Sequence, residues 1–191
     1  MALTRIGPNQ SINLASNVTG TLPVANGGTA LTSGFVNGGV QTPSFYATLS
    51  ANQSYGSSGG VVKVAFDTEL WDTDSAYDNS SNYRFTPQTA GKYFVHGAVY
   101  TATFTTDSVA GQSVYIKKNG SYYQGVTGEI AYNSNEFNAV GIPFGIAVDM
   151  NGSSDYIECY VQVTFSSGTC NIQYSNNGTP SFFGAYKLIG V

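Results

Sequence analysis

Asp155-Tyr156-Ile157-Glu158-Cys159-Tyr160-Val161-Gln162-Val163-Thr164-Phe165 is the stretch on which the fold turns. Ile157, Cys159, Val161, Val163 and Phe165 occupy every second position, and Tyr156, Glu158, Tyr160, Gln162 and Thr164 fill the places between. Successive side chains of an extended chain point to opposite faces, so a period of two predicts a β-strand with one face in a core. A helix would spread the same five apolar residues around its circumference.

Outward from this stretch the pattern repeats. Candidate strands are Ser44–Leu49, Val61–Phe66, Asn82–Thr86, Lys92–Phe104, Ser113–Lys118, Tyr122–Val126, Asn138–Met150, Cys170–Ser175 and Ser181–Ile189. Asn119-Gly120, Asn151-Gly152 and Asn177-Gly178 stand between them as turn signals, and Pro87 with Gly91 marks a corner. No helical period intervenes. Charged residues are only 9% of the 191, against roughly 25% in an average soluble domain. Fourteen Tyr and eleven Phe favour a pleated, half-buried surface. The prediction is an all-β, antiparallel two-sheet β-sandwich of the jelly-roll kind over residues 42–191.

If Ser167-Gly168 reverses the chain, Cys170 and Ile172 meet Phe165 and Val163 in a hairpin, and Cys159 lies about six residues, roughly 20 Å, from Cys170. A disulfide needs Cα atoms within ~7 Å, so both cysteines are expected to be core thiols.

Residues 1–41 differ from the rest. They are rich in Gly, Asn, Thr and Ser, with isolated apolar residues such as Ile12, Leu14, Leu22 and Val24. Such a segment buries too little apolar surface to offset its ordering entropy. Composition fits a mobile terminus as well as an extended attachment arm whose apolar residues lie in grooves on neighbouring subunits.

A net charge of −4 argues against a nucleic-acid partner, which needs a basic face. No run approaches the ~20 apolar residues of a membrane span, and Met1-Ala2-Leu3-Thr4-Arg5 lacks a leader's apolar core. A soluble product released without leader-dependent export is expected.

Tyr83-Arg84-Phe85-Thr86-Pro87-Gln88-Thr89-Ala90-Gly91-Lys92-Tyr93-Phe94-Val95 resembles the central signature of the globular head domain of the first complement component, subcomponent q, which shares its jelly roll with the tumour necrosis factor family. Pro43–Ala47, Val64–Asp67, Tyr115–Gly120, Asp155–Glu158 and Ser181–Leu188 are similar, in order, to further strands of that domain. The loop Leu70–Ser81 is more acidic than the family pattern, Asn151–Asp155 lengthens a turn, and there is no collagen-like stem. Val18-Thr19-Gly20-Thr21-Leu22-Pro23-Val24-Ala25-Asn26-Gly27-Gly28-Thr29-Ala30 resembles a segment recurrent in bacteriophage tail-fibre and other virion proteins. The two resemblances together imply a virion protein assembled in a host cytoplasm, with residues 1–41 contacting other virion subunits.

In Lys92–Phe104, Tyr93, Val95 and Val99 line one side while Phe94, Ala98, Tyr100 and Phe104 line the other; in the last strand Phe182, Tyr186 and Leu188 oppose Phe183, Ala185 and Ile189. A sandwich core uses only one such set per strand, and soluble monomers avoid large apolar patches. A homotrimer, which the resemblance implies, would cover the second set, and so would loops or the arm. Phe94, Tyr100, Phe182 and Tyr186 are the trimer-interface candidates.

Trp71, Tyr77 and Tyr132 fall in predicted loops (Leu70–Ser81, Gly125–Asn135) and are candidates for contact with a host-surface glycan or protein. Asp72, Asp74 and Asp78 are calcium candidates, because some relatives of this jelly roll bind calcium. Asp72-Thr73-Asp74 is not an EF-hand: Ala76 stands at the third ligand position and no Gly follows. The alternative is a solvated acidic loop whose carboxylates keep the surface soluble. His96 is the only histidine and sits mid-strand, so no catalytic role and no cofactor are expected. The expected function is a non-enzymatic virion structural protein: the trimeric knob of a tail or head fibre that binds the host, or a decoration or adaptor protein without receptor binding.

Overall fold

The computed structural model describes residues 43–104, 109–129, 138–166, 168–174 and 181–188. The predicted arm, with Ile12, Leu14, Leu22 and Val24, and Tyr132 lie outside the described residues.

The alternation read in the sequence becomes burial. In Ile157–Phe165, Ile157, Cys159, Val161 and Val163 are fully buried, while the intervening Tyr160 and Gln162 lie on the outer face. The strands are β1 (Ser44–Thr48), β2 (Gln53–Ser54), β3 (Val61–Lys63), β4 (Thr68–Asp72), β5 (Tyr77–Asp78), β6 (Arg84–Phe85), β7 (Gly91–Phe104), β8 (Val109–Lys118), β9 (Ser121–Glu129), β10 (Ala139–Met150), β11 (Ile157–Phe165), β12 (Thr169–Ile172) and β13 (Phe182–Lys187). They form two antiparallel sheets packed face to face, the predicted jelly-roll sandwich.

The longest strand, β7, organises the first sheet. β10 pairs along one edge over its whole length. β13 and β12 lie one after the other along the opposite edge. β1 and then β4 continue outward from β13, and β2 from β12. The second sheet runs β9, β8, β11, with β3 and β6 on the far edge of β11 and β5 beyond β6.

Asn119 and Gly120, with φ of 52° and 79°, link β8 to β9. Positive φ at both central residues is the hairpin turn that Asn-Gly favours, so this connection follows directly from the dipeptide. Asn151 closes the other turn: its Oδ1 accepts from the amides of Ser153, Ser154 and Asp155.

Aromatic packing joins the sheets. Phe45 of β1 stacks on Tyr77 at 4.5 Å and Phe85 at 4.6 Å, and meets Phe183 edge-on at 5.1 Å. Gln112 of β8 reaches across the core, donating through Nε2 to the Val99 carbonyl at 2.8 Å and accepting from the Thr101 hydroxyl at 2.6 Å. A buried amide is tolerated when both its ends are satisfied in this way.

Two expectations are corrected. The hairpin between Asp155–Phe165 and Cys170–Ser175 does not form: β12 crosses to the other sheet and pairs with β7 and β2. Cys170 and Ile172 are buried as expected, but from the opposite side of the core. Alternation specifies which face is buried and leaves open which sheet the strand joins. The segment Leu70–Ser81 is also not one loop, since β4 and β5 occupy part of it. Both cysteines are free and buried; burial pushes the Cys170 thiol up to about 11 and Cys159 further. Neither forms a thiolate at neutral pH, so both act as apolar core residues.

Candidate functional site

The two outer sheet faces differ in chemistry. Along β7 the odd positions Tyr93, Val95 and Val99 enter the core, while Phe94, His96, Ala98 and Tyr100 lie half-buried on the outside. β13 adds Phe182 and Tyr186 to that outer face, β1 adds Tyr46 and β4 adds Trp71, each brought alongside by the register.

These rings form one connected cluster. Tyr46 stacks on Trp71 at 4.9 Å and on Phe182 at 5.2 Å. His96 lies 6.0 Å from Phe182, 5.9 Å from Phe94 and 5.9 Å from Tyr186, and Phe94 is 5.6 Å from Tyr186. Glycines opposite them leave room for the rings to lie against the sheet. A Cβ at position 145 would stand 2.9 Å from Phe94 Cζ, and one at 184 would stand 3.0 Å from His96 Cε1. Three predicted interface residues, Phe94, Phe182 and Tyr186, are thus brought together with His96, expected mid-strand on the same face as Phe94, and with Tyr46, which had no predicted role. Tyr100 is on the same face farther along β7, opposite Gly141. Tyr46 carried a signal: it alternates with Phe45 and Ala47, which enter the core, so its phase points it outward.

Among the predicted contact residues, Trp71 is half-exposed at 50%, but on strand β4 at the border of this cluster. Tyr77 is a correction. It is 5% exposed, stacked under Phe45, and its hydroxyl donates to the Phe66 carbonyl at 3.0 Å. Burial drives its hydroxyl pKa far up. It is a core residue, because aromatic character alone does not tell an inward ring from a displayed one.

The acidic residues bind their own backbone. Asp78 accepts from the amides of Ser80, Ser81 and Asn82 and from the Asn82 side chain, and these bonds hold its carboxyl well below the usual range. Asp72 accepts from the amides of Tyr77 at 2.8 Å and Asp74 at 3.4 Å. Among the described residues no three His, Cys, Asp or Glu side chains gather as a metal cluster. The expectation that Asp72, Asp74 and Asp78 hold calcium gains no geometric support.

His96 carries a pH signature. Desolvation by the surrounding rings lowers its pKa from 6.5. Above that value the imidazole is neutral in both folded and unfolded chains, so its contribution does not change. As pH falls below it, the unfolded chain takes up the proton first, and stability declines until the lowered folded value is passed. Urea midpoints should therefore fall between pH 7 and pH 5, and His96→Phe should flatten that slope. The lowered carboxyls of Asp67, Asp78 and Asp155 act further down, below about pH 4.

The outer face of the second sheet is mixed. Register places Lys117, Tyr115, Ser113 and Gly111 of β8 beside Glu158, Tyr160, Gln162 and Thr164 of β11. Lys117 Nζ sits 4.6 Å over the Tyr122 ring and 4.1 Å over that of Tyr160. Lys63 pairs with Glu158 at 2.6 Å, which covers a nearly buried carboxylate. Among the described residues no helix is long and apolar enough to cross a membrane.

No protein-family model matches the chain. It is 29% identical over 134 residues to the uncharacterized protein YqcC of Bacillus subtilis (strain 168), a match covering 68% of this chain. The chain spans about a third, 35%, of the length of that curated relative. Among solved structures it is similar to murine APRIL, at 14% identity and a TM-score of 0.49, covering 76% of this chain and 98% of that one. It is likewise similar to Eiger TNF from S. frugiperda, at 14% identity and a TM-score of 0.47, covering 78% of this chain and 93% of that one.

Proposed function

We propose that this chain is a non-enzymatic structural protein of a bacteriophage virion, the trimeric knob of a tail or head fibre, which binds the host surface. The observation that carries the reading is the aromatic cluster of Tyr46, Trp71, Phe94, His96, Phe182 and Tyr186 on the outer face of the seven-stranded sheet. Rings laid flat over glycines give a surface that a second copy can pack against, and a threefold arrangement closes without leaving an open end. Three copies packed through this face turn their six-stranded sheets outward. Residues 1–41 join the knob to other virion subunits, in keeping with the fibre-like segment Val18–Ala30.

Sedimentation of the full chain, with adsorption of the labelled protein to a panel of bacterial cells that includes Bacillus subtilis, tests this reading. A three-copy species at micromolar concentration and saturable adsorption are the expected results. A stable single subunit would remove the trimeric knob, and a trimer that adsorbs to no cell would leave a decoration or adaptor role in its place.

A further inference from the structure

We infer that the outer face of the six-stranded sheet holds a binding subsite for an uncharged oligosaccharide. This rests on the receptor-binding reading above and names both the surface and the ligand class. A groove of about 340 Å³ crosses that face, lined by Gly111, Ser113, Thr127, Gln162 and Thr164 among others. Register explains its composition. Gln162, Ser113 and Thr127 lie side by side across β11, β8 and β9, with Thr164 and Gly111 in the next row.

Among the described side chains that line the groove none is charged. Hydroxyls and a carboxamide both donate and accept, and a sugar's hydroxyls do the same, so the lining matches a neutral polyhydroxyl ligand. A carboxylate or phosphate placed there would meet no cation among these lining residues. The polar groups are held in place. The Ser113 and Thr127 hydroxyls are 2.9 Å apart, Gln162 Oε1 accepts from the Tyr115 hydroxyl at 2.9 Å, and Gln162 Nε2 donates to the Gly59 carbonyl at 2.8 Å. Each hydroxyl and the Gln162 amide keeps further capacity for a ligand.

An aromatic wall borders the groove at the next row. Tyr115 lies over Gly125, where a Cβ would stand 2.6 Å from its ring, and Tyr122 meets it edge-on at 5.1 Å. Lys117 Nζ lies close to both the Tyr122 and the Tyr160 ring, 4.6 Å and 4.1 Å from their centroids. Tyr122 is 60% exposed two rows from the hydroxyl-lined floor, and the side of its ring away from Lys117 can meet a sugar's C–H surface. Volumes of about 300–1,000 Å³ are usual for small-ligand sites, and this groove lies at the lower end, suiting one or two sugar rings. Because the proposed trimer contact uses the other sheet, the groove stays open in the assembly.

The test uses the full chain and three variants, Thr127→Arg to fill the groove, Thr127→Val to remove one hydroxyl, and Tyr122→Ala to remove the exposed ring. Each is checked for unchanged sedimentation and circular dichroism. Binding is read on immobilised neutral oligosaccharides of glucose, galactose, mannose and N-acetylglucosamine, with polygalacturonate and polyglycerol phosphate as acidic probes. Saturable binding to a neutral probe, lost at least tenfold in Thr127→Arg and severalfold in the other two, with the same ranking in cell adsorption, is the expected result. Wild-type protein that adsorbs to cells as strongly as Thr127→Arg would overturn the groove and leave the receptor reading standing. Preference for an acidic probe would overturn the ligand class. Absence of adsorption to any cell together with no glycan binding would overturn both readings.

Discussion

Phe182→Asp should leave the sandwich folded and split the proposed trimer into single subunits. Phe182 is half-buried on the outer face of the seven-stranded sheet, stacked on Tyr46 with an interplanar angle of 13°. In a lone subunit an aspartate there reaches water, because the side chain points away from the core. In the trimer the same carboxylate would be enclosed by the rings of Tyr46, His96 and neighbouring copies. An unpaired buried charge costs about 3–5 kcal/mol. At about 1.4 kcal/mol per tenfold change, one such charge weakens association roughly a hundredfold or more, and each trimer would contain three. Sedimentation velocity with far-ultraviolet circular dichroism reads both halves of the expectation. Tyr122→Asp, on the opposite sheet, should stay trimeric. A Phe182→Asp protein that keeps its fold and its three-copy mass would remove this face from the assembly.

Phe45→Ala should be the most damaging single truncation within the fold itself. Phe45 is 1% exposed and touches Tyr77, Phe85 and Phe183, so its ring is shared by both sheets. Removing a buried phenyl ring costs about 3–5 kcal/mol, from lost transfer energy and from the cavity that remains. Domains are stable by only about 5–15 kcal/mol, so a large fraction of the whole is at stake. With about 2–4 °C per kcal/mol for a chain of this size, the melting temperature should fall by roughly 6–20 °C. Urea denaturation should show a lower midpoint at unchanged slope. Trp71→Ala, at the exposed border of the outer cluster, should change stability by less than about 1 kcal/mol. Equal losses for the two variants would refute the division between the inner and outer aromatic sets.

That division was partly legible. In the sequence Phe94, Phe182 and Tyr186 fall on a second apolar face because each alternates with a residue that belongs in the core. Tyr77 reads as a displayed ring because it falls in the acidic segment Leu70–Ser81, which resembles a loop. The structure turns Tyr77 inward, while Asp72 accepts from its amide and Asp78 caps the following turn. A two-residue strand such as Tyr77–Asp78 is too short for a period to be recognised. The polar groove was invisible for a different reason: Ser113, Thr127 and Gln162 come from three strands, and each alone is an ordinary outward residue.

Side-chain direction along an extended chain is a local property, so the run Ile157–Phe165 settles from sequence that it is a strand and which of its faces is buried. The Asn119-Gly120 turn is local in the same sense, because its backbone angles suit those two residues. Pairing is not local. β12 lies beside β7 and not β11, Phe45 meets Phe183, and Tyr46 meets Trp71 because strands far apart in the chain were brought together in one register. Those choices depend on how the thirteen strands among the described residues fill one core at once. The aromatic cluster and the groove exist only after that choice, since the cluster draws its rings from β1, β4, β7 and β13 and the groove its lining from β8, β9 and β11.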